Sequence, residues 1–246
     1  MRKLQILCFL LILLTRPVYS QQGDFEVGGG FSYNTFALDE LNEHLWQRNY
    51  YLNYDRFSAE PYQNLKSFDS EVGYFLQARY WLTDNLAIGG EVEKFNLLTD
   101  YKLNYTNLQY LESYELELTG VLGIIDYQLE QEGSKLVLRL ALGYYSSLFA
   151  WQKYIKFYDD PEGNYAEDNT TGIYQGGTLG GKLGTELFFP VMTGIDGRVG
   201  LNYRHVFFEQ LVEKGQPFYS EYGDDMAGDE FDFSGLELRG GLDIKF

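Results

Sequence analysis

The chain has 246 residues, a formal net charge of −17, 22 tyrosines, 18 phenylalanines and 27 glycines. The aromatic and apolar content argues against a disordered chain, and the negative charge argues against nucleic-acid binding, because phosphates require a cationic surface. The single cysteine, Cys8, excludes a disulfide framework and a cysteine-ligated zinc site. The length is compatible with one large β-domain, since such domains often run to roughly 200–250 residues.

The first twenty residues have the features of a secretory signal peptide. Arg2 and Lys3 precede the apolar run Leu4–Leu14, and small or modest residues then lead to a potential cleavage site after Ser20. The apolar run is too short to span a bilayer, which takes about 20 residues. We therefore expect residues 1–20 to be removed and residues 21–246 to form a single exported domain.

Eight later segments have apolar residues at every second position, which is the pattern of strands with two chemically different faces. The pattern is strictest in the last segment, where the even positions are apolar or glycine and the odd positions carry glycine or charge. The eight predicted strands are Phe25–Phe36, Val72–Leu82, Leu86–Phe95, Tyr114–Ile124, Leu136–Tyr145, Thr178–Phe189, Ile195–Tyr203 and Gly235–Phe246.

The connections between these segments alternate between short and long. The long ones are Ala37–Asp69, Leu97–Leu111, Gln152–Tyr174 and Phe208–Glu230. This rhythm predicts an all-β fold, an antiparallel up-and-down transmembrane β-barrel with short periplasmic turns and long extracellular loops. The first long connection contains a helical pattern at Leu38–Tyr50, interpreted either as a lid or plug over the barrel mouth or as a helix on its rim. An additional hairpin in that connection would give ten strands instead of eight.

Alternation alone does not say which face lies inside, so a soluble lipocalin-like barrel is the alternative. Glycine is frequent on the polar face, and the narrow lumen of an eight-stranded barrel explains that crowding. The polar face carries nine acids and seven bases, and buried charges must be paired. The predicted lumen charge network is Glu26, Glu71, Arg79, Glu91, Glu93, Glu115, Glu117, Arg139, Lys182, Glu186, Arg198, Arg204, Glu237, Arg239, Asp243 and Lys245.

The segment Gly235–Phe246 ends in phenylalanine, with apolar residues or glycine at every second position before it, and so resembles the C-terminal signature of bacterial outer-membrane β-barrels. In that class the barrel-insertion machinery reads the signature, so the resemblance implies that Leu242, Ile244 and Phe246 form an insertion signal. The plan of residues 21–246 is similar to small eight-stranded barrels such as the transmembrane domain of outer membrane protein A and outer membrane proteins X and W. The resemblance implies a location in the bacterial outer membrane, among its lipids and lipopolysaccharide, and does not specify an activity.

Two features are candidates for chemistry. His205 faintly resembles the histidine of the His-x-Ser sequence in lipid A deacylase barrels, but position 207 is phenylalanine, so the expected nucleophile is missing. We therefore predict no enzymatic activity and no cofactor. Clustered carboxylates are suitable Ca²⁺ ligands, but their spacing here does not match an EF-hand loop, so solvated acidic loops are the simpler interpretation. The candidate Ca²⁺ ligands are Asp159, Asp160, Asp224 and Asp225.

The leading hypothesis is an integral outer-membrane barrel with a packed, ion-paired lumen. Its role would be structural, or would be an interaction at the cell surface through the long acidic loops. The second hypothesis is a narrow channel for small solutes or cations, favoured by the excess of acids over bases on the polar face. The third and least favoured is a lipid-modifying enzyme that uses His205.

Overall fold

The computed structural model describes residues 23–50, 64–105, 108–129, 134–157, 166–209, 211–213 and 231–246. Eleven strands and one helix occur in these ranges. In chain order they are β1 (Phe25–Thr35), α1 (Asp39–Tyr50), β2 (Ser70–Trp81), β3 (Leu86–Tyr105), β4 (Leu108–Leu129), β5 (Lys135–Phe157), β6 (Ala166–Met192), β7 (Ile195–His205), β8 (Phe207–Phe208), β9 (Val212–Glu213), β10 (Phe231–Asp232) and β11 (Gly235–Lys245).

Eight of the strands close into a ring. Each of β1 to β6 pairs antiparallel with the next strand, β7 pairs with β11, and β11 pairs with β1. The predicted antiparallel up-and-down barrel is therefore confirmed. Because β1 pairs directly with β2 along its whole length, the first long connection adds no strands to the ring, and the strand number is eight.

The strands of the ring differ in length. β1, β2, β7 and β11 contain 11 or 12 residues, whereas β3, β4, β5 and β6 contain 20, 22, 23 and 27. The long strands extend beyond the short ones at one end only. We call this extension the projecting sheet and define it as residues 95–105, 108–118, 147–157 and 166–176. The opposite end, called the turn end, has tight connections such as the one at Gly194, whose φ is +78°.

The four long strands are longer than predicted, because β3 and β5 end later, and β4 and β6 begin earlier, than the sequence indicated. Residues 97–105 pair with 108–116 without interruption, where the sequence analysis placed a loop. Residues 152–157 likewise pair with 166–171. The side-chain alternation continues there but with opposite polarity, because Leu97 and Tyr101 are buried whereas Asp100 and Lys102 face outward. This inversion of the pattern gave the impression that the strands had ended.

An apolar core fills the concave side of the projecting sheet. The sheet contributes large side chains such as Tyr101, Tyr114 and Phe149, and α1 covers them with Leu41 and Leu45. α1 has acids in its first turn and Arg48 in its last, as the helix dipole favours. No helix in the described part of the chain is long and apolar enough to cross a membrane.

Candidate functional site

A network of ion pairs occupies the interior of the barrel, and Arg139 on β5 lies at its centre. Its Nε and Nη2 atoms donate to the two carboxylate oxygens of Asp126 on the neighbouring β4, at 2.8 and 2.6 Å. Its Nη1 atom donates to Glu186 at 2.8 Å and to Gln77 at 2.9 Å. One guanidinium thus connects side chains from β2, β4 and β6 across the lumen.

A second group of charges lies beside this centre. The Lys182 Nζ atom contacts Glu91, and it lies 2.8 Å from Glu93 and 3.4 Å from Glu237. Arg239 Nη1 donates to Glu91 at 2.9 Å and to Glu186 at 3.1 Å. The two groups share Glu91 and Glu186, because Arg139 contacts both carboxylates as well.

The network continues toward the turn end through Arg79. Its guanidinium lies 2.6 Å from Glu26, 3.0 Å from Asp126 and 3.3 Å from Asp243. Gly28 faces Asp243 across the β1–β11 pairing, and a Cβ atom at this position would collide with that carboxylate. Glycine at position 28 therefore allows the interior to hold this charge.

The middle of the interior is closed to solvent. Seven of the charged side chains that have 0% exposure illustrate this, although each would be strongly hydrated if water could reach it. They are Glu91, Glu93, Arg139, Lys182, Glu186, Glu237 and Arg239. Burial of this kind is tolerated only when charges are paired.

The structure brings most of the predicted lumen charges together. Twelve of the sixteen are buried inside the barrel: Glu26, Arg79, Glu91, Glu93, Arg139, Lys182, Glu186, Arg198, Arg204, Glu237, Arg239 and Asp243. Lys245 lies near the turn end and pairs with Asp196 at 2.6 Å. Glu71 is the second residue of β2, and its side chain accepts the Val72 N–H at 2.8 Å.

Glu115 and Glu117 were wrongly placed in the lumen. Both face outward from β4, where Glu117 pairs with Lys94 at 2.7 Å and Glu115 accepts from Asn96 at 3.1 Å. The inward face of this strand carries Leu116, Leu118, Leu122 and Ile124, all of which are buried. The strand is apolar on both faces around residues 121–125. The alternation of polarity therefore pointed to the wrong face as the one lining the lumen.

Asp126 on β4 also faces the interior, but it was not among the predicted lumen charges because the wrong face of β4 was expected to line the lumen. Asp126 lies two positions beyond Ile124 on the same face, so the correct inward face of β4 would have predicted it as a lumen charge. Lys135 and Asp196 near the turn end were missed as well. Among the described residues the buried charged side chains of the barrel, with Glu112 and Lys153 of the projecting sheet left out, are eight acids and seven bases, so the interior is closer to charge balance than the predicted nine acids and seven bases.

A separate polar cluster, here called the cap cluster, fastens α1 to the projecting sheet. Arg48 forms a bidentate pair with Glu112 on β4, with Nε–Oε1 and Nη2–Oε2 distances of 2.7 and 2.9 Å. Tyr114 donates to the same carboxylate at 2.6 Å, Trp151 donates at 3.4 Å, and Tyr110 contacts it too. The Glu112 side chain has no exposed surface.

Burial by itself would raise the pKa of Glu112, since it disfavours the charged form. The Arg48 charge and the hydrogen bonds from Arg48, Tyr110 and Tyr114 outweigh that effect, and they hold the pKa of Glu112 below its ordinary value. Burial, followed by the neighbouring carboxylate, raises the pKa of Tyr110 and Tyr114. The cluster therefore holds an ionised carboxylate and neutral phenols at neutral pH.

His205 lies at the end of β7, and its exposed side chain faces outward. Its Nδ1 atom is 3.0 Å from the hydroxyl oxygen of Ser234, a residue that precedes β11. The same oxygen accepts the Val206 N–H at 3.2 Å, and Ser234 is only 5% exposed. The contact joins the ends of two strands and leaves the hydroxyl largely covered.

The remaining predicted residues lie at the barrel surface or outside the described part of the chain. Leu242, Ile244 and Phe246 face outward near the turn end and are exposed. Asp159, Asp160, Asp224 and Asp225 fall outside the described residues. Within the described ranges no group of three or more His, Cys, Asp or Glu side chains is arranged to hold a metal ion.

Several solved structures are similar to this chain. Ail, the attachment invasion locus protein of Yersinia pestis, has 10% identity and a TM-score of 0.40 over 92% of this chain and all of its own. The outer membrane protein OprG of Pseudomonas aeruginosa has 12% identity and a TM-score of 0.45 over 92% of this chain and 97% of its own. Neisserial surface protein A has 13% identity and a TM-score of 0.41 over 92% of this chain and all of its own.

No family model matches the chain, and no curated protein sequence matches it. The similar structures include outer membrane proteins, which is the class that the sequence resembles. The assignment of the fold to this chain rests on its own strand pairing.

Proposed function

We propose that this protein is an integral outer-membrane β-barrel with a closed lumen, and that it acts through the surface it presents outside the membrane. The observation that carries the proposal is the inverted distribution of polarity. Every strand of the ring has an exposed apolar side chain on its outer face, whereas the interior holds paired charges. One such residue from each strand gives the set Phe31, Leu76, Val92, Val121, Leu142, Leu179, Val199 and Leu238.

A soluble barrel would have the opposite arrangement, with the apolar faces inside and the charges outside. In a bilayer the arrangement seen in this protein is favourable, because lipid covers the ring of outward-facing apolar side chains, here called the apolar band. The short strands of 11 or 12 residues match the roughly 9–11 residues that a tilted strand needs to cross the hydrocarbon. Exposed tyrosines such as Tyr33, Tyr74 and Tyr203 lie toward the projecting end of this band, as interfacial aromatic girdles do.

The projecting sheet extends beyond this band and has the polarity of a water-soluble structure. Most of its large apolar residues pack inward, although Leu98 and Ile173 are exposed, and charged residues such as Asp100 and Lys102 face outward. This part of the protein would lie outside the cell, with the turn end in the periplasm. The proposal includes removal of residues 1–20 and recognition of Leu242, Ile244 and Phe246 by the insertion machinery.

The closed interior favours a structural or surface-interaction role over a channel. The unexposed, paired charges in the middle of the barrel support a lumen without a continuous aqueous path. The near balance of buried acids and bases also removes the reason for expecting a preference for cations. The absence of enzymatic activity remains a prediction, and the enclosed Ser234 hydroxyl offers little access for a lipid substrate.

Two measurements test the proposal. The protein should be found in the outer-membrane fraction. After extraction with detergent, its electrophoretic mobility should change on boiling, as that of detergent-resistant barrels does. A soluble periplasmic protein without a shift would contradict the proposed location.

In planar bilayers the wild-type protein should give no reproducible single-channel steps. Arg139→Gly removes the central side chain of the network and should admit water and small ions. Lys94→Ala, which changes an outward ion pair, should stay silent and serves as the control. Steady steps from the wild-type protein would overturn the closed-lumen proposal.

A further inference from the structure

The outer wall of the barrel has a depression where β4, β5 and β6 run side by side. Its volume is about 440 Å³, and its lining residues are Glu117, Tyr144, Ser146, Ser147, Leu148, Gln175 and Gly176. In the strand register Glu117 lies beside Leu148, which lies beside Gln175. In the next outward-facing row Ser146 lies beside Gly177. The depression exists because that row contains only small residues on β5 and β6.

The lining has hydrogen-bonding groups but no unbalanced charge. Glu117 lies at one side, paired with Lys94 at 2.7 Å, so the carboxylate and the ammonium group neutralise each other. Tyr144 lies on the other side, and its hydroxyl reaches the space over Gly177, where a Cβ atom would collide with it. The remaining polar groups, the Ser146 hydroxyl and the Gln175 amide, are neutral.

The depression lies at the border between the apolar band and the polar outer surface. On the side of the turn end, the neighbouring outward residues are Val121, Leu142 and Leu179, and the last of these is 81% exposed. On the side of the projecting end, the next outward row holds Glu115 and the exposed Ile173, and the row beyond it holds Gln152 and Thr171. A lipid with its acyl chains against the apolar band would place its headgroup at this level.

We propose that the depression is a binding site for the saccharide headgroup of an outer-leaflet lipid. Hydroxyl-rich headgroups need many neutral donors and acceptors beside an aromatic ring, and that is what the lining supplies. A bare phosphate headgroup fits poorly, because the nearby cation is already neutralised by Glu117 and the carboxylate repels an anion. This inference rests on the proposed outer-membrane location, since in water the site would have no lipid to bind.

Native mass spectrometry of the detergent-extracted, full-length mature protein tests the inference. The probes are glucosyl diacylglycerol, phosphatidylglycerol and unsubstituted diacylglycerol with identical acyl chains. The wild-type protein should retain the glycolipid about tenfold better than either other lipid, as the loss of one or two hydrogen bonds would predict. Equal retention of phosphatidylglycerol would overturn the saccharide assignment, and equal retention of diacylglycerol would show that the headgroup is not recognised.

Variants locate the site. Gly177→Leu displaces the Tyr144 hydroxyl from the space over the glycine and so disrupts the depression, and Gln175→Ala removes a polar group without adding volume, so both should lose the preference for the glycolipid. Gly240→Leu is the control, because Gly240 also faces outward but lies on β11, away from the depression. An added Cβ atom there would have the Arg198 carbonyl oxygen as its nearest neighbour, at 3.8 Å. An unchanged preference in a folded Gly177→Leu or Gln175→Ala variant would overturn the site. The boiling-dependent mobility shift reports separately on the barrel, so failure of the membrane proposal is distinguishable from failure of this one.

Discussion

Glu112 illustrates how one side chain connects the only helix of the described chain to the barrel wall. A buried carboxylate is costly unless its oxygens are occupied, and here a bidentate guanidinium, two phenols and an indole N–H surround it. The helical pattern at Leu38–Tyr50 was evident in the sequence. Its connection to Glu112 was not, because the two residues of the ion pair are 64 positions apart and nothing in their spacing relates them.

Replacing Arg48 should weaken the attachment of α1. Arg48→Met keeps the aliphatic length but leaves Glu112 buried without its cation, a change that costs about 3–5 kcal/mol when a buried pair is broken in this way. The fluorescence of Trp151, which donates to Glu112, should report loosening of the cap at a lower urea concentration than in the wild type. Gln47→Ala, on the exposed side of the same helix, is the control and should leave the urea midpoint unchanged; an equal midpoint for Arg48→Met would contradict the prediction.

The attachment should also depend on pH. Because the pKa of Glu112 is lower in the folded protein than in the unfolded chain, its contribution is complete above the ordinary glutamate pKa of about 4.3. The contribution is lost as the pH falls through the lowered value, when the carboxylate becomes protonated. Limited proteolysis of α1 should therefore accelerate on acidification below that range. Glu112→Gln should be cleaved faster at neutral pH and show a smaller change on acidification; an identical acid response in both proteins would assign the effect to other carboxylates.

At the scale of elements, β4 shows where hydrophobic alternation stops being informative. Elsewhere one face is clearly polar, as in β11, and the sequence predicts both the strand and its orientation. In β4 the outward Val121 and Ile125 are opposed by the inward Leu122 and Ile124, so both faces look apolar. Only the positions of Glu115 and Glu117 distinguished the two faces, and both acids face outward instead of into the lumen.

Adjacent residues of β4 provide a direct test of this orientation. Leu118 is completely buried in the apolar core, so Leu118→Ala should destabilise the protein by about 2–5 kcal/mol, as core truncations do. Thr119, the next residue, faces outward, and Thr119→Ala should change stability by less than about 0.5 kcal/mol. Urea unfolding of the two refolded variants measures the difference. The reverse ranking would restore the orientation that the sequence indicated.

For the whole molecule, the proposed membrane location means that two environments act on the same continuous strands. Where lipid surrounds the barrel, apolar side chains face outward and charges face inward. Where water surrounds the projecting sheet, the arrangement is inverted, and the change occurs along β3 within a few residues of Lys94. The sequence therefore predicted the ring and most of its interior charges, which depend on local alternation. It did not predict the length of the four long strands, because the inversion depends on the height of each residue relative to the membrane.

Cysteine labelling tests this arrangement across the molecule. The only cysteine in the sequence is Cys8, in the predicted signal peptide, so a single introduced cysteine in the mature chain would be the only reactive thiol. A membrane-impermeant maleimide should label Asp100→Cys on intact cells, because that side chain is 42% exposed on the projecting sheet. Thr193→Cys, in the turn between β6 and β7, should react only after the outer membrane is permeabilised.

Leu142→Cys completes the comparison, because this position is 61% exposed in the protein alone but would be covered by lipid in the membrane. It should remain unlabelled in cells, permeabilised or not, and react only after the protein is unfolded. A soluble barrel would react at Leu142→Cys as readily as at Asp100→Cys, since water would reach both. Labelling of Thr193→Cys on intact cells would instead invert the proposed orientation, placing the turns outside and the projecting sheet in the periplasm.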